Sequence, residues 1–276
     1  MRKVILWDFM QLLEKKEGMQ FLEKVRFVIE EIISKNIKWM LKSLFLLKLR
    51  DSKKTLKKIA EAHGLEEISC NSCGLRDFEI IARKNGFRTV RCLNCGLCFV
   101  TPRFNQKARE LFYASKYHIK GYSLFNTLNK LDSVINDHFL SEQILGLIKT
   151  YKKSGELMEV GSFGQGLIRA AEGSGFKCWK IKSDGWIYDT PFRGRDYRTN
   201  DGCLSINNRK FDVISCLDVL DRVPNPVREL NGINGILKDD GILLIRVPNF
   251  GSKIAEEKGI TWHHNRPWEK IFQFDY

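Results

Sequence analysis

Several features are missing from this chain, and each absence narrows what it can be. No signal peptide is expected at its start, because the short apolar run from Val4 to Trp7 is broken by Asp8 and followed by charges. Without a secretory leader, eight cysteines do not point to a disulfide framework, so a reducing cytoplasm is expected. Cys178, Cys203 and Cys216 are then expected to be free buried thiols. Residues 1–66 contain no proline, so nothing in that stretch forbids helix. No segment repeats internally and none is low in complexity. At 276 residues, the chain exceeds one ordinary domain.

The charge is uneven. The formal net charge is +13, and residues 1–60 hold fifteen Lys and Arg against seven Asp and Glu. Nine bases and one acid fall between Lys35 and Lys58, interleaved with Ile37, Trp39, Met40, Leu41, Leu44, Phe45, Leu46, Leu47 and Leu49. No uncharged run there approaches the roughly 18 residues of a membrane span. The pattern is that of an amphipathic basic helix. Two placements are open for residues 21–58: the apolar stripe docks on its own protein, or the helix makes peripheral contact with an anionic membrane or a partner protein.

The cysteines are better organised than the charge. Cys70-x2-Cys73 and Cys92-x2-Cys95 are separated by eighteen residues, a spacing that lets two thiolate pairs close on one tetrahedral Zn2+. Gly74 and Gly96 follow the pairs and permit the positive-φ turn of a zinc knuckle. Between the pairs, Phe78–Ala82 and Phe87–Val90 read as strands joined by the turn signal Lys84-Asn85-Gly86. Cys98 is expected to pack inside this ribbon, since four thiolates complete the coordination.

After the ribbon, residues 104–150 read as helical, and the texture changes at Gly155. Strands are expected at Leu157–Val160, Phe176–Ile181, Phe211–Cys216 and Gly241–Val247, with helices at 167–172 and Pro226–Leu237. This alternation predicts an α/β fold, a parallel sheet with helices on both faces. The turn GSFGQG between the first of these strands and its helix would let a ligand approach the backbone.

From about Cys70 to Tyr276 the chain resembles class I S-adenosylmethionine-dependent methyltransferases, in the branch with an N-terminal zinc ribbon. The resemblance is carried by CLNCGLCFVTPR, LMEVGSFGQGLIRAAEGSGF, FDVISCLDVLDRVPNP and LKDDGILLIRVPN. It implies a Rossmann-like sheet preceded by the ribbon; with residues 1–66 read from their own pattern as two or three helices, the chain divides into a basic amphipathic helical extension (1–66), ribbon (67–103), helical linker or cap (104–152) and core (153–276). It also implies that Glu159, Gly161, Ser162, Phe163 and Gly164 border the methionine and ribose of S-adenosylmethionine. Asp201, Cys203 and Leu204 would border its adenine, and Leu217 and Asp218 would line the mouth of the site. His263 and His264, after the fifth strand of the family's sheet, are the candidate catalytic residues.

The chain also departs from the family pattern. Phe163 and Gln165 occupy positions where relatives often carry glycine. Lys182 stands where an acid usually accepts the ribose hydroxyls, and lysine has only donors; Asp184 is the nearest substitute. Asp221-Arg222 replaces a Glu-His pair, leaving Arg222 free to meet an acidic substrate but not to act as a base. Only 29 residues follow Val247, too few for the family's last strands, so the fifth strand is expected to be an unpaired edge open to homodimerisation.

The function implied is methyl transfer to a small molecule such as a sugar or another surface-polymer precursor. Its alternative is a catalytically inactive methyltransferase-like binding module. A nucleic-acid binder ranks lower, because the ribbon hairpin is not Arg-rich and Phe78, Phe87 and Phe99 suit a strand core better than base stacking. A nucleotide-dependent oxidoreductase ranks lower still, since the loop lacks GxGxxG.

Overall fold

The computed structural model describes residues 3–7, 54–115, 130–161, 166–181 and 209–275. Its largest sheet has five parallel strands in the order β1-β10-β9-β7-β8: β1 Lys3–Trp7, β7 Gly155–Val160, β8 Phe176–Ile181, β9 Phe211–Leu217 and β10 Leu237–Arg246. The central strands are near-continuous apolar runs because both faces are covered. One face presents Leu157, Val213, Ile242 and Leu244 to helices α3 (Lys130–Tyr151) and α4 (Gly166–Gly173), which contribute Ile144, Ile148, Leu167 and Ala171. The other presents Met158, Ile214, Leu243 and Ile245 to α5 (Pro226–Ile236), through Ile233 and Ile236. Alternate residues of each strand thus feed opposite layers, as a pleat of period two demands.

β1 changes the reading of the chain's start. Residues 3–7 are strand, not the beginning of a helical extension, and β1 runs parallel to β10 from Lys3↔Ile242 to Trp7↔Arg246. The fifth strand of the family pattern is therefore not an open edge, because β1 takes its free ladder. The sequence hid this, since a parallel partner more than 200 residues away leaves no local turn signal. The expectation of a homodimer built on that edge loses its motive. The basic stretch from Lys35 to Asp51 lies outside the described residues.

The cysteine region forms a second sheet, β11-β5-β4-β3, from β3 Phe78–Lys84, β4 Phe87–Cys92, β5 Cys98–Val100 and β11 Phe272–Gln273. Asn85 (φ 53) and Gly86 (φ 88) make the hairpin turn that the sequence signals. β11 comes from the far end of the chain, antiparallel to β5 with Phe272 opposite Phe99. So the C-terminal segment, expected to belong to the core, completes the ribbon. A short ladder joins β2 (Leu65–Glu66) and β6 (Arg103–Phe104).

The ribbon has its own core. Phe87 packs edge-on against Phe104 at 5.0 Å, and Phe78 against Phe99 at 5.9 Å. Helix α1, residues 54–63, adds buried Leu56 and ends at Gly64 (φ 84), whose N–H donates to Ala60 O. Helix α2 (Gln106–Ala114) adds Ala108 and Phe112 and is capped by Asn105, whose side chain accepts from the Ala108 N–H. The stretch 104–152, read as one linker, therefore divides: α2 belongs to the ribbon and α3 to the parallel sheet. With Phe87 and Phe99 buried, those rings are not base-stacking platforms.

Pairing of β1 with β10 is directly testable. Ile5 and Leu6 present their backbone N–H groups to opposite sides of β1, so proline at one of them removes a ladder donor and at the other does not. One of the two variants should melt lower by about 5 °C. Equal melting of both variants and wild type would contradict the pairing.

Candidate functional site

Among the described residues, two places gather chemistry. The first is the cysteine cluster. At each knuckle the glycine N–H donates back to the first cysteine carbonyl, Gly74 to Cys70 at 2.8 Å and Gly96 to Cys92 at 2.9 Å, with φ near +78 and +77. These turns gather all four sulfurs within 4.8 Å of one another; Cys70 and Cys95 lie 3.4 Å apart, Cys73 and Cys92 3.5 Å. A tetrahedral ion with bonds of about 2.3 Å spaces its sulfurs about 3.8 Å apart, so the set fits one Zn2+. Hydrogen bonding from the Leu75 backbone brings the Cys73 thiol down to about 7, whereas burial pushes Cys70 up to about 12. Cys98 stays outside the set, buried, with Sγ 3.6 Å from Gly96 O.

The second place is the C-terminal edge of the parallel sheet, where β7, β9 and β10 end together. Gly161 (φ 114) follows β7, and a Cβ there would lie 2.6 Å from Val219 Cγ2. Both backbone and space demand glycine, which leaves the main chain bare where a ligand would lie. Glu159 is buried, and its carboxylate meets Lys180 Nζ from β8 at 2.9 Å, the two being register partners. Leu217 sends its side chain into the core beneath α3 and α4 and turns only its carbonyl toward Gly161.

Asp218 takes the left-handed conformation (φ 56) as the chain leaves β9. Its N–H donates to Arg246 O at 2.8 Å and its carboxylate pairs with the Arg246 guanidinium. Burial works against the charged form, but Arg246 and then Lys270 outweigh it and hold the Asp218 carboxyl below its ordinary value. Just beyond, Asp221 pairs with Lys270 and Arg222 with Glu269, all four buried. Arg222 therefore faces an internal carboxylate and not an acidic substrate.

His263 and His264 approach this edge from the loop after α6 (Lys253–Lys258). Their ring centroids are 3.9 Å apart, and Trp262 stands edge-on to His264 at 5.1 Å. Burial, then the neighbouring charge of Lys270, drives His264 down to about 3, while Asp218 pulls the other way. His264 is neutral at ordinary pH. His263 is exposed and only displaced downward from 6.5, by partial burial and by Arg266.

Of the residues singled out from the sequence, the structure brings Glu159, Gly161, Leu217, Asp218 and His264 to one edge and the four cysteines to another place. Ser162, Phe163, Gly164, Lys182, Asp184, Asp201, Cys203 and Leu204 lie outside the described residues. Sequence reasoning missed Arg246, Glu269 and Lys270. Only the adjacent opposite charges in Trp268-Glu269-Lys270 hinted at them, and nothing local names their partners.

Residues 135–275, just over half of the chain, match a family model described as a methyltransferase domain. Two curated proteins named ubiquinone biosynthesis O-methyltransferase are similar over short stretches. That of Glaesserella parasuis serovar 5 (strain SH0165) is 40% identical over 51 residues, 18% of this chain and 21% of that protein. That of Haemophilus ducreyi is 37% identical over 43 residues, 16% and 18% respectively. The matched stretch spans about a fifth of the length of these relatives.

Two outcomes follow from the charges at this edge. Lys270→Met leaves the buried Asp221 carboxylate with only the Arg222 guanidinium, 3.9 Å away, and should cost about 3 kcal/mol in urea unfolding, whereas adding Asp221→Leu should recover most of it. If the single and double variants were equally unstable, the pair would not be the buried contact described. The second outcome concerns acid. Between about pH 6.5 and 3 the unfolded chain binds a proton at His264 that the folded chain does not, so stability falls as pH drops through that window. Asp218, with its depressed carboxyl, adds a loss of the same sign at the acid end. His264→Gln should remove about 2 kcal/mol of the difference between unfolding at about pH 7 and about pH 4.5; an unchanged difference would contradict the assignment.

Proposed function

Because this chain belongs to the methyltransferase-domain family, we propose that it transfers the methyl group of S-adenosylmethionine to a hydroxyl of a small molecule, and that its four cysteines hold a structural Zn2+. The observation that carries the reading is the bare backbone at Gly161, at the end of a strand inside the matched region. The O-methyltransferase names of the two similar proteins favour oxygen as the accepting atom. A sugar or another surface-polymer precursor fits the acceptor class.

S-adenosylmethionine supplies an activated methyl on a sulfonium, so much of the acceleration comes from alignment. The chain's residues divide the remaining work. Gly161 and the loop Ser162-Phe163-Gly164 would hold the donor, with Glu159 below them, and Asp201, Cys203 and Leu204 would flank its adenine. A hydroxyl acceptor must lose a proton, and a base serves best when its pKa lies near the working pH. His263 suits that task better than His264, whose pKa of about 3 makes it a weak base. His264 would instead hold the His263 ring in place through the close, tilted contact of the two rings.

The Zn2+ would sit in the ribbon, with Cys70, Cys73, Cys92 and Cys95 as its complete ligand set, and would take no part in the transfer. Docking of residues 21–58 on the protein itself, or their contact with an anionic membrane or a partner protein, belongs to the same proposal. Among the described residues, no helix is long and apolar enough to cross a membrane.

A second reading, a binding module without turnover, is favoured by one observation: the Glu159 carboxylate is engaged by Lys180. Isothermal titration with S-adenosylmethionine separates the two readings. Binding is expected, and Gly161→Ala should weaken it by about tenfold or more through backbone strain and the clash with Val219. Absence of heat at millimolar donor, with zinc bound and the fold intact, would end the enzyme reading.

A further inference from the structure

We infer that Lys84 of the ribbon is a positioning residue for the loop that carries His263 and His264, so that the ribbon holds the acceptor side of the site in shape. The functional part of this inference rests on the reading of that loop given above. Lys84 is the last residue of β3, and the Asn85-Gly86 turn behind it projects the hairpin end toward the C-terminal segment. Its Nζ donates to Ile260 O at 2.7 Å and to Asn265 O at 2.6 Å. Those two carbonyls bracket the stretch Thr261-Trp262-His263-His264, so one ammonium fastens both ends of the loop.

The other hydrogen bonds described within 259–266 are local. Trp262 N–H donates to Gly259 O at 3.1 Å, Asn265 N–H to Trp262 O at 2.9 Å and Arg266 N–H to His264 O at 2.8 Å. Such turns shape a loop without fixing where it sits, whereas the lysine reaches it from more than 170 residues away. Lys84 is itself constrained. Its Nζ lies 5.9 Å from the centroid of the Trp268 ring, and burial followed by repulsion from Arg266 pushes its pKa down. A cation drawn from water in this way needs its two carbonyl partners.

The ribbon grips the same segment a second time farther along. Val100 N–H donates to Ile271 O at 2.9 Å, and β11 pairs with β5. Between the two grips, Glu269 and Lys270 reach across to Arg222 and Asp221 of the parallel sheet's loop. The histidine loop is thus suspended from the ribbon at Lys84 and β5 and tied to the core at Lys270. A shift of the hairpin end would move His263 and His264 relative to Asp218 without disturbing Gly161.

The test compares the full-length wild type with Lys84→Met, which keeps an unbranched side chain of similar length and removes the ammonium, and with Lys84→Arg, which restores donors. Hydrogen exchange across 259–266 should quicken about tenfold in Lys84→Met, with β7 and β9 unchanged. In the same protein the His264 imidazole, followed by NMR, should titrate closer to 6.5, and Lys84→Arg should return both signals most of the way. Unchanged exchange and titration, or acceleration spread evenly over ribbon and sheet, would overturn the inference. S-adenosylmethionine affinity of Lys84→Met should stay within about twofold of wild type; a much larger loss would put Lys84 in the donor site and overturn its positioning role. A wild type that binds no donor would remove the methyltransferase reading, while the exchange result would still decide whether Lys84 holds the loop.

Discussion

The architecture depends on a crossing of four buried charges. Asp221 and Arg222, from the loop after β9, meet Lys270 and Glu269, from the C-terminal segment, in reversed order, so the two pieces of backbone run past each other with opposite charges matched. Phe272 N–H donates to Asp221 O at 3.1 Å and locks the crossing in register. Charges removed from water are tolerated only when paired, so sliding either segment by one residue would set like against like or leave an ion alone. That intolerance places β11 beside β5. Arg103 adds a second tie, bonding Glu66 at 2.8 Å and Pro224 O at 2.8 Å, and so links the ribbon's short ladder to the loop after β9. Ribbon and parallel sheet are therefore joined by specific polar contacts as well as by Phe274, which packs against both apolar cores.

This junction gives the ribbon a role beyond its own four cysteines. A small metal module cannot bury much apolar surface alone, and here it borrows Leu56 from α1, Phe112 from α2 and Phe272 from the end of the chain. In return it holds the segment that passes the C-terminal edge of the sheet, where strand ends, the Gly161 turn and the histidine loop converge. The metal would be remote from the methyl acceptor in chemistry but connected to it through backbone and side-chain contacts.

Parts of this were legible in the sequence because their signals are local. The paired cysteines with trailing glycines, the Asn85-Gly86 turn, and the strand and helix alternation after Gly155 each announce themselves within a few residues. What escaped was non-local. The pairing of β1 with β10 depends on a register chosen across most of the chain, and a run such as Val4-Ile5-Leu6 carries no address for it. Arg222 looked available to a substrate because the sequence does not show Glu269 facing it. Lys84 entered the sequence reading only as part of a turn signal, because nothing local names the Ile260 and Asn265 carbonyls as its partners. Leu217 was read as lining the site from its position after the fourth strand of the family's sheet, whereas strand alternation turns its side chain inward.

The central claim is that the C-terminal edge of the parallel sheet binds a methyl donor beside Gly161 and Asp218. Hydrogen exchange with and without S-adenosylmethionine tests it most directly, because it reports location as well as binding. The account predicts slower exchange around 159–161 and 217–218, with β3 and β4 of the ribbon unaffected. Protection nowhere in the chain at saturating donor, or protection confined to the ribbon, would contradict it.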